Sequence, residues 1–450
     1  MKEKRAVIVG AGLVGSLWAI LLAKRGYEID LYERRSDMRQ HGYSGGRSIN
    51  LAMSRRGWTA LERAGIRPVI EPHALPMKGR MIHSPEGDLA FQPYGKEGQA
   101  IYSVSRGGLN LELLKVAGSY PNVRLHFDQI CRKVDVDSNT LTFEHEPSGE
   151  RHTIQAPLIF GTDGAFSAVR NSLMKIPRFD YSQQYLTHAY KELSIPPAAG
   201  GGFLMDKNAL HIWPRHQFML IALPNADGSF TCTLFLAFEG DPSFAQLQTD
   251  RDVEAFFERY FPDALSLMPT LLDDFNGNPT SSLVTVRCHP WQYDGRILLL
   301  GDAAHAIVPF YGQGMNAGFE DCTILDDLAT EYGEDWDSVF TAFNRARVKD
   351  GNAIADLALR NFIEMRDLVA DPMFLLRKKI AAHLHEKHGE AFLPSYSMVS
   401  FSDTPYSVAL QAADDQDRLL DQILQIEGIS ERWERPEVDE LYEKWKNSRR

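Results

Sequence analysis

Short apolar runs alternate with glycine turns in the first part of the chain. An apolar run at Ala6–Val9 leads into a glycine-rich turn, a helix with leucines at three- and four-residue spacing follows, and a second run at Ile29–Tyr32 ends at Glu33. This order predicts a βαβ unit. Two later runs, Leu158–Phe160 and Ile297–Leu300, also end in turns built of glycine and aspartate. The pattern therefore predicts several strands that end in loops of the same kind.

The middle of the chain has a different pattern. Ala209–Asn225 and Ser229–Phe238 are rich in β-branched and aromatic residues, and a turn at Asn225–Gly228 separates them. They are predicted to be antiparallel hairpin strands of a second sheet. Apolar spacing over Phe244–Phe261 predicts a helix, and helical spacing dominates from Phe340 onward.

Together these patterns predict an α/β protein with a discontinuous Rossmann-like dinucleotide-binding domain, an inserted antiparallel β-sheet substrate domain and a C-terminal helical region. The predicted bounds are 1–75, 103–178 and 286–340 for the dinucleotide-binding domain, 76–102 and 179–285 for the substrate domain, and 341–450 for the helical region.

Composition narrows the class of partner. The 450 residues carry 48 Lys+Arg and 60 Asp+Glu, so the formal net charge of −12 disfavours binding to nucleic acid. The four cysteines form no C-x-x-C pair and no signal peptide precedes Ala6, which favours a reducing cytoplasm. The longest apolar stretches, Leu17–Ala23 and Phe218–Leu223, are too short to span a membrane, and the C-terminal residues from Glu431 onward are highly charged.

The first glycine turn matches a dinucleotide fingerprint. Gly10-x-Gly12-x-x-Gly15 follows a predicted strand and opens a helix, which allows close approach of a pyrophosphate to the backbone. Glu33 ends the second strand, where an acidic residue accepts hydrogen bonds from a ribose. The alternative is a glycine turn that only links two elements.

Two further turns carry candidate chemistry. GTDG at Gly161–Gly164 is typical of a nucleotide site but equally of a surface turn. GDAAH at Gly301–His305 precedes PFYGQGMN at Pro309–Asn316, where a helix is predicted to begin. A helix N-terminus stabilises negative charge such as that of a reduced flavin, and Asp302 is suited to bind hydroxyls of a ribityl chain.

The three glycine motifs, in this order, resemble those of the FAD-dependent aromatic hydroxylases of the para-hydroxybenzoate hydroxylase type, although GTDG replaces the usual G-A-D-G. Within that group the chain is most similar to the kynurenine 3-monooxygenase family, over residues 5 to 410. The blocks that carry this resemblance are GRSINLA (Gly46–Ala52), GRMIHS (Gly79–Ser84), QPYG (Gln92–Gly95), YSVSR (Tyr102–Arg106), RFDYSQQY (Arg178–Tyr185), LHIWPR (Leu210–Arg215), FTCTLF (Phe230–Phe235), HAIVPFYGQGMNAGFEDC (His305–Cys322), NFIEM (Asn361–Met365) and YSMVSFS (Tyr396–Ser402).

The resemblance implies bound FAD, with NADPH and O2 as co-substrates. The implied reaction is 3-hydroxylation of L-kynurenine to 3-hydroxykynurenine through a flavin C4a-hydroperoxide, in tryptophan metabolism. The implied enzyme is cytoplasmic, a monomer or homodimer, with no metal and no catalytic side chain beyond the flavin. Its NADPH docking surface is not indicated by any motif.

The resemblance also implies the site residues. Those that bind substrate are Arg80, Tyr94, Asn361 and Tyr396, with Glu364 and Met365 in the same pocket and Phe310 in the flavin-side loop. A guanidinium with phenol donors suits an α-amino-acid carboxylate. Those that bind the cofactor are Gly10, Gly12, Val14, Gly15, Tyr32, Glu33, Arg34, Arg35, Ala52, Arg106, Ile130, Asp163, Asp302, Gly314, Met315 and Asn316.

Two alternatives remain open on the sequence. One is another flavoenzyme of this group, such as a hydroxylase of a different aromatic acid or a halogenase, although HIWPRH is a poor match to the halogenase W-x-W-x-I-P. The other is a flavoprotein that acts only as a binding module.

His305 is interpreted as a structural histidine, and His383–His388 as a solvated helix face rather than a metal site. The effect of Tyr311 on the pocket is left open.

Overall fold

The computed structural model describes residues 4–41, 50–96, 98–368 and 371–448, so Gly46–Ile49 of the GRSINLA block lie outside the described residues. In chain order the strands are β1 Arg5–Val9, β2 Glu28–Tyr32, β3 Leu51–Met53, β4 Leu75–Met77, β5 Gly79–His83, β6 Leu89–Pro93, β7 Ile101–Val104, β8 Val123–His126, β9 Gln129–Asp135, β10 Thr140–His145, β11 Arg151–Gln155, β12 Ile159–Gly161, β13 Asp180–Ile195, β14 Ala209–Arg215, β15 Phe218–Pro224, β16 Phe230–Ala237, β17 Ser281–His289, β18 Gln292–Tyr293 and β19 Ile297–Leu299.

The helices are α1 Leu13–Lys24, α2 Met38–His41, α3 Arg55–Ala64, α4 Arg67–Ile70, α5 Arg106–Ser119, α6 Ala168–Leu173, α7 Asp250–Tyr260, α8 Pro262–Leu265, α9 Leu271–Gly277, α10 Asp302–His305, α11 Gly314–Glu331, α12 Trp336–Ile363, α13 Pro372–His388, α14 Ser395–Phe401, α15 Tyr406–Leu424 and α16 Pro436–Asn447. Short 3₁₀ turns lie at Glu71–His73, Phe244–Gln246, Pro309–Tyr311 and Gly389–Phe392, and a π-helical turn follows α12 at Glu364–Leu368.

The first sheet has the order β18-β19-β12-β1-β2-β8, and all its neighbours are parallel except β18. Its central strands are buried apolar runs, as a sheet covered on both faces requires. The strands β1, β2, β12 and β19 come from distant parts of the chain, yet their carboxyl ends meet at one edge. This confirms the discontinuous Rossmann-like architecture and places the three glycine turns together.

The second sheet has the order β17-β13-β16-β15-β14-β5-β6. Its pairs are antiparallel, as predicted, except β14 with β5, which are parallel. The strand β5 reaches β14 from far earlier in the chain, and its direction is therefore not fixed by a hairpin. Two smaller sheets have the orders β3-β7-β4 and β11-β10-β9.

Two predicted elements differ in extent. Ala209–Asn225 is a hairpin of β14 and β15 rather than one strand, because the chain turns at His216, whose φ is +58°. The predicted helix over Phe244–Phe261 is a 3₁₀ turn followed by α7, which begins only at Asp250 because Thr249 and Asp252 form a capping box.

The C-terminal region is helical, as predicted. The interpretation of His383–His388 as a solvated face is wrong, because His388 stacks on Tyr442 of α16 at 3.8 Å between ring centroids and His383 meets Trp433 edge-on. No cluster of three or more metal-ligating side chains occurs in the described ranges. None of the described helices combines the length and the low polarity that crossing a bilayer demands.

Candidate active site

Backbone and side-chain hydrogen bonds lock the three glycine turns together. The Gly10 N–H donates to the Tyr32 carbonyl at 2.7 Å, and the Leu300 N–H donates to the Gly161 carbonyl at 2.9 Å. The Thr162 hydroxyl lies 2.7 Å from the Gly10 carbonyl and 2.9 Å from that of Val9. GTDG is therefore not a surface turn: the Thr that replaces the usual Ala ties it to the first glycine turn.

The glycines of the first turn have two separate roles. A Cβ placed on Gly15 would lie 1.9 Å from the Gly10 carbonyl oxygen, so this glycine is needed for the fold itself. A Cβ on Gly12 would have no neighbour within 4 Å. Gly12 is the residue just before α1 and supplies no side-chain cap, so the first N–H groups of the helix face this space. The turn thus offers an open cradle of the kind that a pyrophosphate fills.

Glu33 supports the same turn from the neighbouring strand. Its Oε2 accepts from the Ala11 N–H at 2.9 Å, and its Oε1 accepts from the Arg35 N–H at 3.1 Å. An ionised carboxylate has about four acceptor sites, so both oxygens keep capacity for ribose hydroxyls. The residue therefore fits the role of holding a ribose beside the cradle.

The GDAAH turn is fixed from both sides. Val14 of α1 packs so closely against it that a Cβ on Gly301 would lie 2.9 Å from Val14 Cγ2. The buried Arg170 donates to the Ala303 carbonyl at 2.9 Å and to the Ala165 carbonyl at 2.6 Å. This arginine joins the second and third turns, a role that its position in the sequence did not reveal.

The predicted cofactor residues differ in their exposure and in the contacts that they make. Arg34, Arg35, Arg106 and Asp302 are exposed, with Asp302 at the start of α10, and Ile130 lies partly exposed in β9. The Tyr32 ring is sandwiched between His126 and Phe143, at centroid distances of 4.4 and 4.0 Å. Asp163 accepts from Ser167 Oγ at 2.5 Å and from the Ala168 N–H at 2.7 Å. Tyr32 and Asp163 thus have structural contacts of their own.

Asn316 organises the loop before α11. Its side-chain amide donates to the carbonyls of Ala52 and Gly312 at 2.8 and 2.9 Å, and its Oδ1 accepts from the Ser54 N–H at 2.9 Å. Gly314 begins α11, which has no side-chain cap, and Met315 is buried beside it. The unmet N–H groups of this helix are available to an anionic group, as the sequence predicts.

Behind the GDAAH turn lies a buried charge network. Asp321 accepts from His305 Nε2 at 2.6 Å, from the Gly301 N–H at 3.0 Å and from Arg347 Nε at 2.8 Å. Arg347 also pairs with Glu320 at 2.7 Å, and Glu320 with Arg56. Ion pairing with His305 and Arg347 keeps the pKa of the Asp321 carboxyl low although burial opposes this. His305 therefore fixes the turn, in keeping with its interpretation as structural.

The structure brings all seven predicted substrate residues into one cluster around Arg80 of β5. Arg80 Nη1 pairs with Glu364 at 3.0 Å, and Nη2 donates to Asn361 Oδ1 at 3.4 Å. The guanidinium lies 5.7 and 5.5 Å from the ring centroids of Tyr94 and Tyr396. The Asn361 amide in turn donates to the Phe310 carbonyl at 2.6 Å and contacts Met365 Sδ at 3.3 Å.

Aromatic rings form the walls of this cluster. Tyr396 stacks between Tyr94 and Tyr311, at centroid distances of 5.0 and 5.5 Å, and Phe310 stacks on Phe362 at 4.1 Å. Burial raises the pKa of Tyr94, Tyr311 and Tyr396 above the usual value, so each phenol keeps its proton as a hydrogen-bond donor. The cluster can therefore bind an anion at Arg80 and a planar ring beside it.

Arg80 Nε and the Tyr94 hydroxyl are buried and make no hydrogen bond of good geometry among the described residues, although Arg80 and Tyr396 lie near enough to the phenol to lower its pKa against the effect of burial. Both donors are therefore available to an anionic ligand that binds at the guanidinium. Tyr311, whose effect on the pocket the sequence left open, and Phe362, which was not predicted as a site residue, complete the walls. Lys378, which pairs with Glu364 at 3.2 Å, carries no sequence signal.

The profile of the family described as "FAD binding domain" matches residues 3–349. The chain is 48% identical to the kynurenine 3-monooxygenase of Christiangramia forsetii over 98% of each chain. It is 51% identical to that of Myxococcus xanthus, over 91% of this chain and 88% of the relative. It is 46% identical to that of Sus scrofa, over 90% and 85%.

Solved structures show the same fold at low identity. A tetrameric form of 2-methyl-3-hydroxypyridine-5-carboxylic acid oxygenase superposes with a TM-score of 0.67 at 19% identity, covering 90% of this chain and 98% of the other. The p-nitrophenol 4-monooxygenase of Pseudomonas putida gives 0.66 at 18% identity, covering 90% and 96%. These likenesses support the mixed α/β architecture.

Proposed function

This chain belongs to the kynurenine 3-monooxygenase family of FAD-binding proteins, and we propose that it hydroxylates the aromatic ring of L-kynurenine at position 3, with FAD as bound cofactor and NADPH and O2 as co-substrates. The observation that carries the proposal is the buried Arg80, whose Nε, like the neighbouring Tyr94 hydroxyl, makes no hydrogen bond of good geometry among the described residues and whose guanidinium lies against aromatic rings. An amino-acid carboxylate supplies the acceptors that these donors lack.

The residues around the glycine turns fit FAD. The cradle at Gly12 is open, Glu33 lies beside it, and the helices that begin at these turns have no side-chain cap. When bound, it supplies the electron transfer from NADPH and the activation of O2 that the side chains of the chain cannot perform. One oxygen atom of O2 enters the substrate ring and the other leaves as water, while NADPH is oxidised.

The described side chains bind and orient the substrate. Arg80 and Tyr94 would hold the carboxylate. Asn361 would hold Arg80 and the Phe310 loop in fixed positions relative to each other. Glu364 lies close enough to Arg80 to accept from the α-ammonium group of the same substrate. The stacked rings of Phe310, Phe362 and Tyr396 exclude water from the anilinic ring. Because Pro309–Tyr311 leads directly into Gly314 at the start of α11, the aromatic ring and the flavin would occupy adjoining spaces.

The proposed activity is tested with FAD-loaded protein and a small panel of aromatic amino acids. We expect NADPH oxidation and O2 uptake to be stimulated by L-kynurenine, with 3-hydroxykynurenine as the product, and not by tryptophan or anthranilate. Another hydroxylase would be indicated by stimulation with a different aromatic acid. Bound FAD with no stimulation by any of them would support the binding-module alternative and overturn the proposal.

Tyr94→Phe is expected to lower kcat/KM for L-kynurenine by about one to two decades, because a hydrogen bond to a charged group contributes about 1.5–3 kcal/mol. The melting temperature of the substrate-free protein should change little, since the Tyr94 hydroxyl makes no hydrogen bond of good geometry among the described residues. Steady-state kinetics and thermal unfolding measure both quantities.

Tyr442→Phe is the matched control, because the Tyr442 hydroxyl is also buried and without a partner in the described part of the chain but lies in the C-terminal helices. Its kcat/KM should equal that of the wild type. An equal loss of kcat/KM in both variants would show that Tyr94 has no direct role in binding.

A further inference from the structure

The Glu364 carboxylate lies between two cations, Arg80 of the strand β5 and Lys378 of the helix α13. Its Oε1 is 3.0 Å from Arg80 Nη1, and its Oε2 is 3.2 Å from Lys378 Nζ. The Glu364 side chain is 20% exposed, whereas that of Lys378 is 49% exposed. Lys378 therefore reaches from the surface of α13 to the rim of the substrate cluster, and Glu364 connects it to the buried Arg80.

Both cations act on the same charge. Burial would raise the pKa of the Glu364 carboxyl, but the charges of Lys378 and Arg80 and the hydrogen bonds from both side chains lower it below its usual value. Glu364 is thus an anion in the substrate-free protein. Glu364 pairs with the same guanidinium to which the substrate carboxylate binds under the proposed function.

Binding of that carboxylate creates a conflict. A substrate carboxylate on the same guanidinium competes with Glu364 for its charge and repels it, and a partly buried carboxylate whose only cation is drawn away is costly. The second cation removes the conflict, because Glu364 can give up Arg80 and keep Lys378. Its Oε1 is then free to accept from the ammonium group of the amino acid.

We propose that Lys378 is a positioning residue for substrate binding, which holds the Glu364 carboxylate when the substrate carboxylate displaces it from Arg80. This rests on the proposed function of the Arg80 cluster. Lys378 touches neither the substrate nor the flavin in this scheme and acts only through Glu364. The ligand class follows from the chemistry: a carboxylate displaces Glu364, and an adjacent ammonium replaces the lost contact on Glu364.

The proposal predicts different losses for two ligands. With L-kynurenine, Lys378→Met should raise KM about two- to fivefold, the range expected for one partly exposed ion pair, and leave kcat unchanged. With 4-(2-aminophenyl)-4-oxobutanoate, which has the carboxylate but no ammonium group, the loss of affinity should be larger, because Glu364 then keeps no cation at all.

The experiment measures KM and kcat for L-kynurenine, and the dissociation constant of the desamino compound by titration of the FAD absorbance, on the holoenzyme. Lys378→Arg should restore both affinities. Lys379→Met is the control, since Lys379 is the next residue on α13, is exposed and makes no ion pair within the described residues. In a Glu364→Gln background the Lys378→Met change should have no further effect, because the neutral amide no longer competes for Arg80.

The outcomes separate this proposal from the proposed function. If wild-type NADPH oxidation is not stimulated by L-kynurenine, the function fails. If stimulation is normal but Lys378→Met and Lys379→Met behave alike with both ligands, Lys378 is not a positioning residue. A fall in kcat at unchanged KM, or an effect that persists in the Glu364→Gln background, would equally overturn the proposal.

Discussion

Arg80→Ala is expected to lower kcat/KM for L-kynurenine by about one and a half to three and a half decades. Removing one partner of a desolvated, charge-assisted contact costs about 2–5 kcal/mol, and each 1.4 kcal/mol is about tenfold. Arg80 is 7% exposed, so water cannot replace the lost guanidinium at little cost. The variant should still fold, because Lys378 continues to pair with Glu364. Stopped-flow flavin reduction by NADPH, with and without L-kynurenine, measures the loss of stimulation.

The FAD content of Arg80→Ala should equal that of the wild type, since no cofactor motif contains Arg80. Arg360→Ala is a suitable control, because Arg360 precedes Asn361 on α12 but pairs with Asp414 at the surface. It should keep wild-type kinetics. Wild-type affinity and stimulation in Arg80→Ala would show that Arg80 does not hold the carboxylate.

Gly12→Val and Gly15→Val are expected to fail in different ways. A side chain on Gly12 enters open space, so Gly12→Val should fold but retain less than about a tenth of the FAD, because its methyl groups fill the place of the pyrophosphate. A side chain on Gly15 would overlap the Gly10 carbonyl, so Gly15→Val should be insoluble or melt far below the wild type. Flavin absorbance per protein and the melting temperature of the FAD-free forms separate the two effects.

Comparing FAD-free forms is necessary because bound FAD itself stabilises the native state. Gly277→Val serves as the control: a Cβ on this glycine also has no neighbour within 4 Å, yet Gly277 ends α9, away from the cofactor turns. It should keep both its FAD and its stability. A Gly12→Val protein with normal flavin absorbance would contradict the assignment of this turn to the pyrophosphate.

Local patterns were sufficient for the first βαβ unit, whereas the outer strands β8 and β18 of the same sheet were not predicted. The run at Ala6–Val9, the glycine turn and Glu33 are consecutive signals, and the structure has β1, α1 and β2 where they predict them. The hairpin within Ala209–Asn225 was missed because its turn contains no Gly, Asn or Pro, and His216 takes the left-handed conformation instead. The late start of α7 was readable from Thr249 and Asp252, which form a capping box that the apolar spacing obscured.

The candidate site was predictable only where a motif or a family resemblance covered it. The resemblance named the seven residues around Arg80, which the structure gathers from β5, the residue after β6, the Pro309–Tyr311 turn and the helical region. Arg170, Asp321 and Lys378 were not assigned roles, because their partners lie 133, 26 and 14 positions away and leave no local periodicity. The same reason explains the histidines of α13, whose stacking depends on the distant α16.

Two side-chain amides, those of Asn361 and Asn316, hold the Pro309–Asn316 segment at its two ends. One end forms a wall of the substrate cluster and the other opens the helix that faces the cofactor. For the redesign of substrate range this makes the segment a poor target, because a larger or smaller residue at Phe310 would shift the cofactor end as well. Phe362 lies outside the segment and stacks on Phe310 from α12, so libraries that vary Phe362 should change which rings are accepted with less effect on FAD affinity than changes at Phe310 itself.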